Sequence, residues 1–178
     1  MHKDVSSVLI TEEELTARIK EMAEQINKDY EGKSILVVCV LKGAVMFMAE
    51  LTKYIKVPVF FDFISVSSYG NATRSTGVVR FIKDLDQSIE GKNVLIVEDI
   101  VDTGLTLKYL LENMWTRKPA SLKLCTLLSK PERRKVEIDV DYVGFTIADE
   151  FVIGYGLDYA EKYRNLPAIC ILSKSAYE

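Results

Sequence analysis

The stretch Val94-Leu95-Ile96-Val97-Glu98-Asp99-Ile100-Val101-Asp102-Thr103-Gly104-Leu105-Thr106 decides how this chain is read. Four apolar residues without alternation predict a strand buried on both faces, as in parallel sheets. Asp99 to Gly104 then predicts a turn, and Leu105 to Trp115 a helix. Upstream, Ile35 to Val40 has the same doubly buried character, and Ala44 to Tyr54 reads as the helix after it. Strands are also predicted at Val59 to Ser67, Leu122 to Leu128, Tyr142 to Ile147, Phe151 to Gly154 and Ala168 to Leu172. Buried strands alternating with helices indicate an α/β fold with a largely parallel sheet. Such sheets bind ligands beyond the carboxyl ends of their strands. The residues after Val40, Val97 and Leu128 are therefore the first places to look for chemistry.

Near the start, Thr11-Glu12-Glu13-Glu14 has the form of a capping box. Leu15, Ile19, Met22, Ile26 and Tyr30 then recur at helical spacing, with the helix ending near Gly32. Ser68 to Thr76 is polar, carries Gly70 and Asn71, and has no apolar period. It reads as a loop.

The segment after Val97 has its own chemistry. Thr103, Gly104 and Thr106 bring backbone N–H groups and hydroxyls to a helix N-terminus, a cradle suited to a phosphate monoester. Gly104 lets the backbone approach closely. Glu98 and Asp99 would repel such a ligand unless they face its hydroxyls, or a magnesium ion held on them.

Bulk properties narrow the classes. The 178 residues fit one domain, with 48% hydrophobic and 28% charged residues. A net charge of -3 does not suggest a general nucleic-acid or anionic-membrane binder. Cys39, Cys125 and Cys170 are scattered within apolar runs, so buried free thiols are expected, in keeping with a reducing cytoplasm. Met1 to Val8 has no apolar signal core, and no apolar run approaches the ~20 residues of a membrane span. The only histidine, His2, is expected in a frayed terminus. Acid–base work therefore falls to carboxylates, lysine or tyrosine.

With these residues in view, Val94 to Thr106 resembles the 5-phosphoribosyl pyrophosphate (PRPP) signature of type I phosphoribosyltransferases. Its Glu98-Asp99-Ile100-Val101-Asp102-Thr103-Gly104 form resembles the hypoxanthine-guanine branch. The likeness runs from Leu41-Lys42-Gly43 through Ser68-Tyr69 and Lys130 to the block Asp149 to Tyr159 with Tyr163-Arg164. That block narrows the likeness to 6-oxopurines.

The resemblance implies a mostly parallel sheet flanked by helices. A small hood would be built mainly from residues about 150–178, with a lid loop over about 68–76 carrying Ser68 and Tyr69. It implies displacement of pyrophosphate from PRPP by a purine ring nitrogen. Asp102 would be the acid/base, and Asp102, Thr103, Gly104, Leu105 and Thr106 would wrap the 5-phosphate. Glu98 and Asp99 would meet the ribose hydroxyls or a magnesium ion. Lys42, Gly43 and Arg164 would hold pyrophosphate. Lys130 would donate to the purine 6-oxo group, Phe151 would stack on the ring, and Val152 would offer backbone groups. Asp158 would bind magnesium or sit near the exocyclic group of the base. Homodimers or homotetramers are expected by the same likeness.

Leu105 departs from the pattern, because some relatives carry lysine there. Backbone amides do most of the holding, so little effect is expected. Two other readings stand beside this one. A regulator that keeps the PRPP site but binds RNA or DNA would need a basic face with aromatics. An enzyme for xanthine or a pyrimidine is the other, and the Asp149 to Tyr159 block disfavours pyrimidines.

Overall fold

The computed structural model describes residues 3–68 and 79–176. In chain order the elements are β1 (Val5–Ile10), α1 (Glu12–Asp29), β2 (Ile35–Val40), α2 (Val45–Lys53), β3 (Val59–Ser68), β4 (Val79–Lys83), β5 (Asn93–Val101), α3 (Leu105–Thr116), β6 (Ser121–Ser129), β7 (Tyr142–Thr146), β8 (Val152–Ile153) and β9 (Ile169–Leu172). Six strands form the main sheet in the order β4-β3-β2-β5-β6-β7. All its neighbours are parallel except β4, which runs antiparallel to β3. The α/β class with a mostly parallel, helix-flanked sheet is thus as the sequence predicts.

Strand pleat explains the two-sided core. Ile35, Val37 and Cys39 of β2, with Leu95 and Val97 of β5, pack with Leu15, Ile19, Met22 and Ile26 of α1 and Phe47 and Leu51 of α2. Leu36, Val38 and Val40, with Val94 and Ile96, face the other way onto Leu107, Leu110 and Met114 of α3. Successive residues of one strand thus feed opposite layers, and the strands carry no alternation because neither face meets water.

The capping box forms as read. Glu14 N–H donates to Thr11 Oγ1 (3.2 Å), and Thr11 N–H donates to Glu14 Oε2 (2.8 Å). The helix stops at Asp29, with Tyr30 as its C-cap. All three cysteines are buried free thiols, as expected. Burial pushes the Cys39 thiol up to about 12, a direction that removes its nucleophilic form at neutral pH. Among the described residues no helix is long and apolar enough to cross a membrane.

Three features differ from the sequence reading. β5 does not stop at Val97 but runs to Val101, because β6 continues to pair with it at Glu98↔Thr126, Ile100↔Leu128 and Val101↔Ser129. Glu98 and Asp99 therefore lie in a strand, where a turn was expected from Asp99. Secondly, β4 pairs with the end of β3 and was not foreseen. Thirdly, a second sheet takes a strand from the N-terminus, in the order β1-β9-β8 with antiparallel pairs. Val5, Ile153, Cys170 and Leu172 form its own small core. Tyr69 and most of the expected lid, as well as His2, lie outside the described residues; Ser68 ends β3.

Candidate active site

In the main sheet the chain passes from β2 outward to β3 and β4, then returns to the other side of β2 with β5, β6 and β7. The direction of winding therefore reverses between β2 and β5, and open α/β sheets bind ligands at that reversal. The loop after β2 carries Leu41, Lys42 and Gly43, and the end of β5 carries Glu98 to Thr103. Both expected loops flank the same crevice. The Leu41–Lys42 peptide is cis.

Gly43 and Asp99 meet across this crevice. A Cβ on Gly43 would collide with Asp99 Oδ2 and lie 2.7 Å from Asp99 Cγ. On the other side, a Cβ on Gly156 (φ +100°) would collide with the Gly43 carbonyl. Gly156 N–H donates to the Arg164 carbonyl (2.9 Å), and Arg164 Nη1 donates to the Gly156 carbonyl (2.8 Å). Close backbone approach between the two loops thus brings Arg164 to the same corner as Lys42 and Gly43. Lys42 Nζ pairs with Glu161 Oε2 at 2.7 Å. Arg164 Nη2 pairs with Asp158 Oδ1 at 3.1 Å and with Glu161 Oε1 at 3.3 Å.

Glu98 and Asp99 are partly buried neighbours. Burial, reinforced by the adjacent Asp99 carboxylate, holds the Glu98 carboxyl well above its ordinary range. Burial also raises Asp99, against hydrogen bonds from Glu98 and from the Ile100 N–H (2.7 Å) and the charge of Arg164. Folding therefore favours their neutral forms. That contribution is fully present below the unfolded carboxyl pKa and is lost as pH rises through the raised folded values. Glu98→Gln is expected to raise the thermal midpoint of the magnesium-free protein more at about pH 8 than at about pH 4. An equal shift at both pH values would remove the buried charge as the cause.

The next corner holds Thr103 to Thr106. Gly104 is the N-cap of α3 at φ +81° and brings no side chain to the first amides; Leu105 N–H reaches Thr103 Oγ1 only at 3.5 Å. A cavity of about 150 Å³ lies here, with Glu98, Ile100, Asp102, Thr103, Gly104 and Thr106 in its wall. Leu105 opens the helix itself. A helix N-terminus beside a small cavity can hold an anion through N–H groups and the helix dipole.

A second cavity of about 370 Å³ is walled by Ile100, Asp102, Lys130, Phe151, Val152 and Asp158, together with Arg133 and Asp149. Lys130 follows β6, and its Nζ donates to the Glu150 carbonyl (2.6 Å). It also stands 3.6 Å from Asp149 Oδ1. Phe151 is 42% exposed, enough to offer a ring face, and meets the edge of Tyr159 at 5.5 Å between centroids. Ile100 and Asp102 belong to the walls of both cavities. A larger hollow, about 420 Å³, lies near Ser34, Phe60 and Asn93 at the opposite, amino ends of the strands. It shares none of the expected site residues.

Two arginines of this site do not stand out in the sequence, where they lie within the basic run Arg133 to Lys135. Arg134 Nη1 donates to the carbonyls of Val101 and Asp102 (both 2.6 Å), and its Nη2 donates to Ser129 Oγ (2.8 Å). It fixes the backbone that leads into the Gly104 cap of α3. Arg133 Nε donates to Asp102 Oδ1 (3.0 Å), and Arg133 Nη1 stands 3.6 Å from Asp149 Oδ2. Glu161 was also missed. Three adjoining basic residues, Arg133 to Lys135, were the available signal, but nothing in their spacing points back to Asp102.

Of the expected residues, Glu98, Asp102, Thr103, Gly104 and Thr106 wall the smaller cavity, and Asp102, Lys130, Phe151, Val152 and Asp158 wall the larger one. Gly43 meets Asp99, and Lys42 and Arg164 meet through Glu161. Residues 9–160 match the phosphoribosyl transferase domain family. The chain is 52% identical over 178 residues to the hypoxanthine-guanine phosphoribosyltransferase of Bacillus subtilis, covering all of this chain and 99% of that one. It is 54% identical over 177 residues to the bifunctional protein TilS/HprT of Listeria monocytogenes, and spans 27% of the length of that relative. A crystal structure of a hypoxanthine phosphoribosyltransferase from Staphylococcus aureus superposes with a TM-score of 0.97 at 52% identity, over 100% of this chain and 97% of the other. The chain therefore belongs to the phosphoribosyltransferase family, in its hypoxanthine-guanine branch.

Proposed function

We propose that this protein transfers the 5-phosphoribosyl group of PRPP to hypoxanthine or guanine, releasing pyrophosphate and forming the nucleoside monophosphate, as in purine salvage. One observation carries this reading beyond the family. Asp102 and Ile100 form a wall common to the phosphate-sized cavity at α3 and the larger cavity of Lys130 and Phe151. A ribose bridging the two would have its 5-phosphate in one and its reacting carbon facing the other.

The transition state separates charge, leaving an oxocarbenium-like sugar and a departing pyrophosphate. Amides and hydroxyls of Thr103 to Thr106 anchor the 5-phosphate, while Lys42 and Arg164 take charge on the leaving group. The carboxylates of Glu98 and Asp99 meet the ribose hydroxyls. Asp102 exchanges a proton with the purine ring nitrogen. Lys130 donates to the 6-oxo oxygen, which an adenine amino group cannot replace, Phe151 stacks on the ring, and Val152 offers main-chain groups to the base edge. Asp158 faces the same cavity, held by Arg164. Ser68 and Tyr69 belong to the lid of this reading.

Magnesium fits these residues. Among the described residues no group of three or more carboxylate, cysteine or histidine side chains gathers as a metal cage. Magnesium needs none, since it takes one or two carboxylates and completes its shell with water and substrate oxygens. Glu98 and Asp99, pressed toward neutrality by burial, are the donors that a cation would relieve; Asp158, in the wall of the larger cavity, would be a further donor. The ion would supply charge neutralisation on the leaving group. A cytoplasmic location and assembly into dimers or tetramers belong to this reading too.

The test is direct. The protein is incubated with PRPP, magnesium and each of hypoxanthine, guanine, xanthine, adenine and uracil, and nucleotide is measured. Conversion of hypoxanthine and guanine is expected, and failure with all five bases would overturn the reading. In the same assay Lys130→Met is expected to lower kcat/KM for both oxopurines by ~10–100-fold, the worth of a charged hydrogen bond. The KM for PRPP should move far less. Equal losses in both substrates would show a folding defect instead.

A further inference from the structure

We propose that Glu161 is a built-in competitor for the pyrophosphate site, its carboxylate bridging Lys42 and Arg164 until the diphosphate displaces it. This rests on the reading of Lys42 and Arg164 as the pyrophosphate cations. Glu161 Oε2 meets Lys42 Nζ at 2.7 Å, and Glu161 Oε1 meets Arg164 Nη2 at 3.3 Å. Two oxygens on one anionic group thus span two cations, which is the arrangement a phosphoryl group would adopt between them.

The placement is not a chance of side-chain reach. Ala160 (φ 51°), Glu161 (φ 64°) and Tyr163 (φ 77°) are left-handed, a conformation that costs a non-glycine residue. Glu161 N–H donates to Asp158 Oδ2 (2.8 Å), and Tyr159 and Lys162 close a tight turn by reciprocal backbone bonds. The turn holds Glu161 over the loop after β2, 119 residues away in sequence. Lys42 and Glu161 are each about two-thirds exposed (66% and 65%), so an incoming anion in water can exchange for the carboxylate. A glutamate side chain, ordinarily ionised well below neutrality, is anionic here at neutral pH.

The two cations are released differently. Arg164 keeps Asp158 and the Gly156 carbonyl when Glu161 departs, so its guanidinium remains in place. Lys42 has no other ion-pair partner among the described residues. Its ammonium swings from carboxylate to diphosphate. Glu161 therefore weakens the holding of pyrophosphate and hastens its departure after transfer.

The experiment measures magnesium pyrophosphate binding to the whole protein by calorimetry, for the parent and for Glu161→Gln, at low and high salt. Removing the competing charge is expected to tighten binding about threefold, the scale of an exposed ion pair. The gain should shrink between ~0.05 M and ~0.5 M salt, as screening weakens the internal pair. Unchanged or weaker binding by Glu161→Gln, or a gain that ignores salt, would overturn the proposal. Glu161→Asp, which keeps the charge on a shorter stem, should fall between the two; binding as tight as that of the glutamine variant would argue against direct bridging. A parent protein that makes nucleotide but shows no gain in the variant sinks this inference alone. A parent that makes no nucleotide and binds no pyrophosphate sinks the function on which it rests.

Discussion

Asp102→Asn is expected to lower kcat by ~10²–10⁴-fold, the usual worth of a positioned acid or base, with KM for PRPP changed by no more than a few-fold. The substitution is nearly isosteric, and the local backbone does not depend on the carboxylate. Arg134 holds the carbonyls of Val101 and Asp102, and Lys135 N–H donates to the Thr103 carbonyl (3.0 Å). The amide oxygen of asparagine can still accept from Arg133 Nε, which now reaches Asp102 Oδ1. No other hydrogen bond to the Asp102 side chain occurs among the described residues, so Oδ2 remains available to the ring N–H of the base. What asparagine loses is the basicity needed to take that proton. Steady-state rates at saturating PRPP and hypoxanthine check this. A kcat near that of the parent would remove Asp102 from proton transfer, and a matching rise in the KM for PRPP would reassign it to holding phosphate.

Much of this was legible because the chemistry is contiguous. Val94 to Thr106 carries a strand, its exit and a helix start, so one segment announces both the sheet and the anion cradle. β2 and residues 94–97 of β5 could be read from composition, since they are apolar and buried throughout. The end of β5 could not. Pairing with β6 sustains the strand through Glu98 and Asp99, and strand partners are set by tertiary packing. β1 was hidden similarly. Val5-Ser6-Ser7-Val8-Leu9-Ile10 lacks clean alternation, and its pairing with β9 contains register shifts. A distant strand, not the local pattern, makes it part of a sheet.

The site shows the same division. Residues inside a recognisable block, such as Lys130 or Phe151, could be nominated one by one. Residues that act across blocks could not. Arg133 reaches Asp102 over 31 positions, and Glu161 reaches Lys42 over 119. An arginine beside two other basic residues has no local signature of an ion pair that only the fold creates. Close contact between Gly43 and Gly156 is a further case, since it requires two loops to meet with no side chain on either.

Gly43→Ala is the second large effect expected. The φ of Gly43 lies outside the left-handed region, so alanine meets no backbone penalty there; the obstacle is crowding alone. Its Cβ would collide with the Asp99 carboxylate, and Asp99 cannot easily retreat. One oxygen accepts from the Ile100 N–H, and the residue sits in β5 between paired neighbours. The carboxylate must therefore swing away from the position proposed for it against the ribose hydroxyls and magnesium. A misplacement of about 1 Å in a positioning group can cost ~10²-fold, so kcat/KM for PRPP is expected to fall by about that factor. Gly32→Ala supplies the opposite case. Gly32 has φ +73° with nothing within 4 Å of a new Cβ, so alanine there meets strain without crowding. It should cost ~1–2 kcal/mol of stability and leave kcat/KM unchanged. Urea melts and PRPP kinetics on the two variants separate the effects. If Gly43→Ala keeps kcat/KM within twofold while Gly32→Ala behaves as expected, the Asp99 carboxylate has room to move without loss, and its position beside Gly43 is not what binds the ribose.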